Sequence, residues 1–144
     1  MKSINLLDLG NNRLAGGVPV ELGNCSQLQM LDLSNNTLTG ALPESLAGVH
    51  GLQEIDVSHN QLTGGVPDAF GRLEVLSRLV LSGNSLSGDI PAALGKCRNP
   101  ELLDLGDNAL SGRIPDELCA IDGLDIALNL SRNGLNPGED IGAE

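Results

Sequence analysis

The side chains with chemistry to offer recur at one place. Asp8, Asp32, Asp56 and Asp104 each stand second in a six-residue block (LDLGNN, LDLSNN, IDVSHN, LDLGDN), and Val80 and Asn129 hold the same place in LVLSGN and LNLSRN. If each block is an extended segment beside the next, these carboxylates sit about 4.8 Å apart. Neighbouring negative charges at that spacing repel, and a lysine, arginine or terminal amine lying across them relieves the repulsion. Paired carboxylates also suit acid–base work, and converging oxygen ligands hold a divalent cation. No third converging ligand is evident, so no metal is expected. Cys25, Cys97 and Cys119 are an odd set without a C-x-x-C pair, which argues against zinc and against a disulfide framework. A cysteine nucleophile wants a histidine beside it, and neither His50 nor His59 has a register that supplies one. With no P-loop, G-x-S-x-G or H-E-x-x-H motif either, the expectation is a chain without catalytic residues or cofactor.

Positioning such a column demands a regular frame, and the composition points to one. The chain has 144 residues, 40% hydrophobic, yet Phe70 is its only aromatic residue. An interior filled by aliphatic side chains of even size suits a stack of similar units better than one globular core. The net charge of −11, with only eight scattered Lys and Arg, excludes a nucleic-acid footprint. No run of eighteen apolar residues offers a membrane span, so no membrane contact by this segment is expected, and Met1–Leu14 lacks the pattern of a signal peptide.

The frame is a repeat. Blocks start at Leu7, Leu31, Ile55, Leu79, Leu103 and Leu128, a period of 24 residues with one insertion before the last. The columns read L-x-L-x-x-N-x-L-x-G-x-[IV]-P-x-x-L-G-x-x-x-x-L-x-x. Positions 1 and 3 alternate with polar neighbours, the signature of a short half-buried strand, and the strands are expected to stack into one parallel sheet. Apolar residues at positions 8, 12, 16, 19 and 22 turn the chain inward repeatedly, so each unit needs its neighbours to bury its surface. Position 6 is Asn12, Asn36, Asn60, Asn84, Asn108 and Asn133. An amide carries donors and an acceptor, so these asparagines are expected to satisfy inward backbone groups where the strand ends. Gly at position 10 and Pro at position 13 set the bend, with a second extended segment expected between them. The stretch after Pro has room for one or two turns of α- or 3-10 helix.

This pattern, L-x-L-x-x-N followed by L-x-G-x-[IV]-P, resembles the plant-specific class of leucine-rich repeat over Ile4–Leu135. That class is known from ectodomains of plant receptor-like kinases, from receptor-like proteins and from polygalacturonase inhibitors, and the stretch Ile114–Leu135 looks most like peptide-hormone receptor kinases. The resemblance implies a right-handed α/β solenoid with a parallel sheet on its concave face and short helical or 3-10 segments on its convex side. It implies recognition of a peptide or protein ligand, or of a co-receptor, outside the plasma membrane. Alternatives are an inhibitor of a secreted cell-wall hydrolase and a truncated product without independent function. The array is expected over residues 1–135, with partial units at both ends and an acidic irregular tail at 136–144. The family's paired N-terminal cysteines and the paired arginines of some hormone receptors are not visible at matching columns. The isolated chain is expected to self-associate through open ends.

On such a solenoid the residues at positions 24, 2, 4 and 5 face a ligand, with position 7 (Arg13, Gln61) at the edge. The candidates are Asp8, Asp32, Glu54, Asp56, His59, Arg78, Asp104 and Asp107, beside the unit-to-unit variation of Met30, Leu102, Asn11 and Gly83. A solvated surface that drifts in sequence would vary in the same way. His59 on that face would take up charge in an acidic extracellular setting. Cys25 and Cys97 share core position 19, roughly three strand spacings apart, too far for a disulfide. Three sequons, Asn24, Asn35 and Asn129, are possible glycosylation sites.

Overall fold

A computed structural model describes residues 3–97, 100–119 and 127–136. Among the described residues, eleven short strands are wound into six coils. One strand per coil enters a six-stranded parallel sheet: β1 (Leu6–Asp8), β3 (Met30–Asp32), β5 (Glu54–Asp56), β7 (Arg78–Val80), β9 (Leu102–Asp104) and β11 (Ala127–Asn129). Neighbours pair in register, so Leu7, Leu31, Ile55, Leu79, Leu103 and Leu128 lie side by side. The 24-residue period therefore becomes one strand spacing, and every column of the repeat becomes a line across the stack.

The inward columns form one aliphatic interior. Leu31, Ile55, Leu79, Leu81 and Leu105 are wholly buried, as are Leu52, Leu62, Leu86, Leu94 and the single aromatic Phe70. Leu9 and Leu128, in the outermost coils with a neighbour on one side only, are each 39% exposed. Burial thus depends on the adjoining coil, which is the physical content of a solenoid.

The expected second extended segment is present but begins earlier. The strands are β2 (Ala15–Gly17), β4 (Thr37–Gly40), β6 (Gln61–Leu62), β8 (Ser87–Asp89) and β10 (Ala109–Ser111), so all five precede or contain the position-10 glycine rather than follow it. Gly16, Gly40, Gly64, Gly88 and Gly112 all take positive φ, between 75° and 82°, which is why that column is glycine.

After each proline the chain makes a five-residue 3-10 helix: Val20–Asn24, Glu44–Gly48, Asp68–Arg72 and Ala92–Lys96. The position-16 N–H donates back to the proline carbonyl three residues earlier, as Phe70 does to Pro67 at 3.1 Å. The fifth such segment, Asp116–Cys119, is one α-helical turn. These helices pack against each other on the convex side, close enough at Gly23, Gly71 and Gly95 of position 17 to exclude a side chain, although Ala47 fits there in coil two. A Cβ on Gly71 would stand 2.5 Å from the Ala93 carbonyl oxygen, whereas one on Gly48, at position 18, would meet nothing within 4 Å. Gly71→Ala is accordingly expected to destabilise by about 1–3 kcal/mol through overpacking. Gly48→Ala is expected to stabilise by about 0.4–1 kcal/mol. Urea unfolding of the pair, read by far-UV circular dichroism, checks both signs.

Candidate ligand-binding face

The asparagine ladder ties the coils together. In Asn60 the amide Nδ2 donates to the carbonyls of Val57 (3.1 Å) and Ser58 (3.2 Å) in its own coil and of Leu33 (3.0 Å) in the preceding one. Its Oδ1 accepts from the Leu38 N–H at 3.0 Å. Asn36, Asn84, Asn108 and Asn133 repeat the pattern. Asn12 bonds within its own coil, to Leu9 and Gly10. Each amide therefore satisfies backbone groups that the strands abandon as they bend, and from Asn36 onward it does so across the coil boundary.

Outside this frame, the concave face differs from the expectation at position 4. Ser34, Ser58 and Ser82 are buried, and Gly106 is buried beside them, so this column does not face a ligand. Where an aspartate stands two residues earlier it ties this position down, although Ser82, which follows Val80, is equally buried without one. Asp32 Oδ1 accepts from both the N–H (2.9 Å) and the hydroxyl (2.6 Å) of Ser34, and Asp56 does the same for Ser58. Asp8 accepts from Gly10 N–H, and Asp104 from Gly106 N–H and from Asn129 Nδ2. The acidic column is thus partly a structural device, an aspartate closing its own turn. The signal was on the sequence as D-x-[SG] in each acidic coil.

Position 5 carries a second feature that hydropathy does not report. Asn11, Asn35, His59, Asp107 and Arg132 all have φ between 51° and 58°, and Gly83 has 71°. This left-handed turn lets the N–H of Asn11, Asn35, His59, Gly83 and Asp107 reach the position-4 carbonyl of the next coil, His59 to Ser82 at 2.8 Å for example. Asn, Asp and Gly tolerate it; His59 and Arg132 hold it at a cost. The His59 ring lies over Gly83, where a Cβ would be 2.6 Å from its Nδ1.

Two candidate pairs are engaged with each other. Arg78 Nε lies 3.1 Å from Glu54 Oε1, and Arg132 lies 3.4 Å from Asp107 Oδ1. Each joins the same column of adjacent coils, a register that becomes legible only once the coils are stacked. Of the three sequons, Asn24 is exposed at the end of a convex 3-10 helix, and Asn35 is exposed on the concave side. The Asn129 side chain is already committed, donating to Asp104 and accepting from Ser131.

The cysteines belong to the interior. Cys25 and Cys97 are free thiols buried at position 19, and burial pushes the Cys97 thiol above its ordinary value of 9.0. The side chain of Cys119, the stretch 120–126 that holds the insertion and the tail at 137–144 lie outside the described residues. Iodoacetamide at pH 8 is therefore expected to label neither Cys25 nor Cys97 in the folded chain and both in urea. An unfolded thiol ionises before the folded Cys97, so the contribution of this group to stability is full below pH 9.0 and is lost as pH rises through the folded value.

Among the described residues no group of three or more His, Cys, Asp and Glu is arranged to hold a metal, and no helix is long and apolar enough to cross a membrane. The leucine rich repeat family model matches residues 2–62, 26–86 and 51–110. The comparison with curated proteins returned no match. Among solved structures the chain is similar to PEPR1 in the PEPR1–AtPEP1 crystal structure, with 39% identity and a TM-score of 0.88 over 93% of this chain and 19% of that one. It is similar to the plant peptide hormone receptor RGFR1, solved in complex with RGF2, with 33% identity and a TM-score of 0.88 over 92% of this chain and 21% of that one. It is also similar to the ectodomain of the receptor kinase SOBIR1 from Arabidopsis thaliana, at 33% identity and a TM-score of 0.84 over 90% of this chain and 71% of that one. The chain spans about a fifth of the first two receptors' length. The repeat, its asparagine ladder and these matches establish that the chain belongs to the leucine-rich repeat family, in the form found in plant receptor-kinase ectodomains.

Proposed function

We infer that the chain is a ligand- or co-receptor-binding segment of a plant receptor-like kinase ectodomain, placed outside the plasma membrane and working through its concave sheet. The observation that carries this reading is the contrast between frame and face. Inward columns repeat almost unchanged from coil to coil, while the half-buried or exposed positions on the sheet read Leu6, Met30, Glu54, Arg78, Leu102 and Ala127 at one column and change charge at another. A rigid frame holds such side chains in place before a partner arrives, which lowers the ordering cost of binding. The similarity to receptors solved with peptide ligands supports the same direction. The segment itself performs no chemistry in this reading; catalysis belongs to a kinase region elsewhere in the parent. A glycan at Asn24 would stand on the convex side and leave the sheet open, while one at Asn35 would limit what docks.

The test is selection of binders from a random peptide library on the immobilised chain. Glu54→Lys and Asp56→Lys on the sheet are expected to abolish capture of the selected peptides, and Arg72→Glu on the convex side to leave it intact. The reverse pattern would overturn the reading. Inhibition of a secreted polygalacturonase by the chain would favour the inhibitor alternative instead.

A further inference from the structure

One rung of the asparagine ladder differs from the others in the residue that follows it. Asn12, Asn36, Asn60, Asn84 and Asn108 precede Arg13, Thr37, Gln61, Ser85 and Ala109, whereas Asn133 precedes Gly134, the only Asn-Gly pair in the chain. Glycine has no side chain to keep its own nitrogen away from the preceding side chain, so this pair closes a five-membered ring far more readily than the other rungs. In the folded coil the ring cannot close, and Leu110 of the preceding coil is the reason. Its N–H donates to Asn133 Oδ1 at 3.0 Å, and its carbonyl accepts from the Gly134 N–H at 2.8 Å. Electrophile and nucleophile are thus both pinned to the neighbouring coil. Asn133 Nδ2, the group that would leave, donates to the carbonyls of Leu105 (2.9 Å), Leu130 (3.2 Å) and Ser131 (3.2 Å). Yet the coil of β11 is weakly held: all three strand residues are exposed, where β3, β5, β7 and β9 each bury their middle residue. An element with so little buried apolar surface opens ahead of the rest of the stack.

We propose that Asn133 is a deamidation site gated by release of its coil from the preceding one, and that the product keeps the coil from docking again. When the coil lifts, the Gly134 nitrogen attacks Asn133 Cγ. The N–Cγ bond forms, the Cγ–Nδ2 bond breaks, and Nδ2 leaves as ammonia with the proton that the attacking nitrogen gave up. Water then opens the cyclic imide at one of its two carbonyls, leaving aspartate, or isoaspartate with the main chain running through the former side chain. One water is taken up and one ammonia lost, with no oxidant and no enzyme. Either product puts an anion where the amide donated to three carbonyl oxygens, and a carboxylate buried against such lone pairs has no donor to offer them. Isoaspartate also adds a carbon to the main chain and so breaks the register with Leu110. The gate is reversible, but the joint between these two coils is lost in one direction only.

Peptide mapping by mass spectrometry follows Asn133 while the full chain is incubated at pH 8, folded and unfolded in guanidinium. In the unfolded chain Asn133 is expected to convert at least about tenfold faster than Asn60, and Gly134→Ala to remove that difference. Folding is expected to slow conversion of Asn133 at least about tenfold. Leu130→Ala, which removes a side chain packed against the core, is expected to raise the folded rate about fivefold and leave the unfolded rate unchanged, with circular dichroism confirming the fold. Hydrogen exchange of the converted chain reads the last step: the Leu110 amide should exchange like an exposed turn while that of Leu79 stays protected. Unfolded Asn133 converting no faster than Asn60 would overturn the site. A folded rate equal to the unfolded one, or a rate that Leu130→Ala does not move, would overturn the gate. A Leu110 amide as protected after conversion as before it would overturn the one-way step.

Discussion

Asn60→Asp is expected to destabilise the chain by about 3–5 kcal/mol at neutral pH, for a change of one NH₂ to one oxygen. The amide sits 8% exposed and makes four hydrogen bonds, three as donor to the carbonyls of Leu33, Val57 and Ser58 and one as acceptor from Leu38. An aspartate keeps the acceptor. Its other oxygen then faces three carbonyl oxygens as an anion with no donor. Burial and those lone pairs both disfavour the charged form, so the variant's carboxyl is raised above the ordinary value of about 3.9. A group raised in the folded state contributes most below its unfolded value and loses that contribution as pH rises. The deficit should therefore shrink toward pH 4, where a neutral acid regains one donor. Asn60→Ala, which leaves the same backbone groups unpaired without adding a charge, is expected to cost about 2–4 kcal/mol and to show no such pH dependence. Urea denaturation at pH 7 and pH 4 separates the two variants.

Phe70→Ala is expected to cost about 3–5 kcal/mol, and Phe70→Leu less than about 1.5 kcal/mol. Phe70 is wholly buried at position 16, where the other coils carry Leu22, Leu46, Leu94 and Leu118. The frame at that column is built for leucine, so the smaller residue meets neighbours that can close around it. Alanine leaves a cavity the size of a ring in a stack whose coils are held at fixed spacing by their ladders. Little relaxation is available, because closing the gap would mean moving two coils and breaking ladder hydrogen bonds. Thermal unfolding of both variants beside the parent chain gives the ordering.

The fold was legible in the sequence because stacking converts each column into a line of contacts, and six occurrences of one column outweigh any local ambiguity. Leu31, Ile55, Leu79 and Leu103 are read as inward from alternation alone, and Asn36 through Asn133 as a ladder from their constancy. What escaped was set by bonds rather than by hydropathy. Ser34 and Ser58 each give two hydrogen bonds to one aspartate oxygen, and the left-handed turn at position 5 follows from the need to carry the backbone ladder round a corner. Asn11, Asn35, Gly83 and Asp107 are residue types that tolerate such a turn, so the clue was present in that column's composition. The pairing of Glu54 with Arg78 lay 24 residues away along the chain and one strand away in space. Of the candidate ligand residues, Asp32, Asp56 and Asp104 are consequently both frame and face.

All of this depends on asparagine side chains binding one coil to the next, so that the concave sheet is presented as a fixed surface. Backbone hydrogen exchange of the position-8 amides reads that claim directly. The N–H groups of Leu38, Leu62 and Leu86 donate to Asn60, Asn84 and Asn108 of the following coil and should exchange as slowly as the strand amides of Leu31 and Ile55. Exchange at the rate of exposed turns, while the strands stay protected, would contradict it.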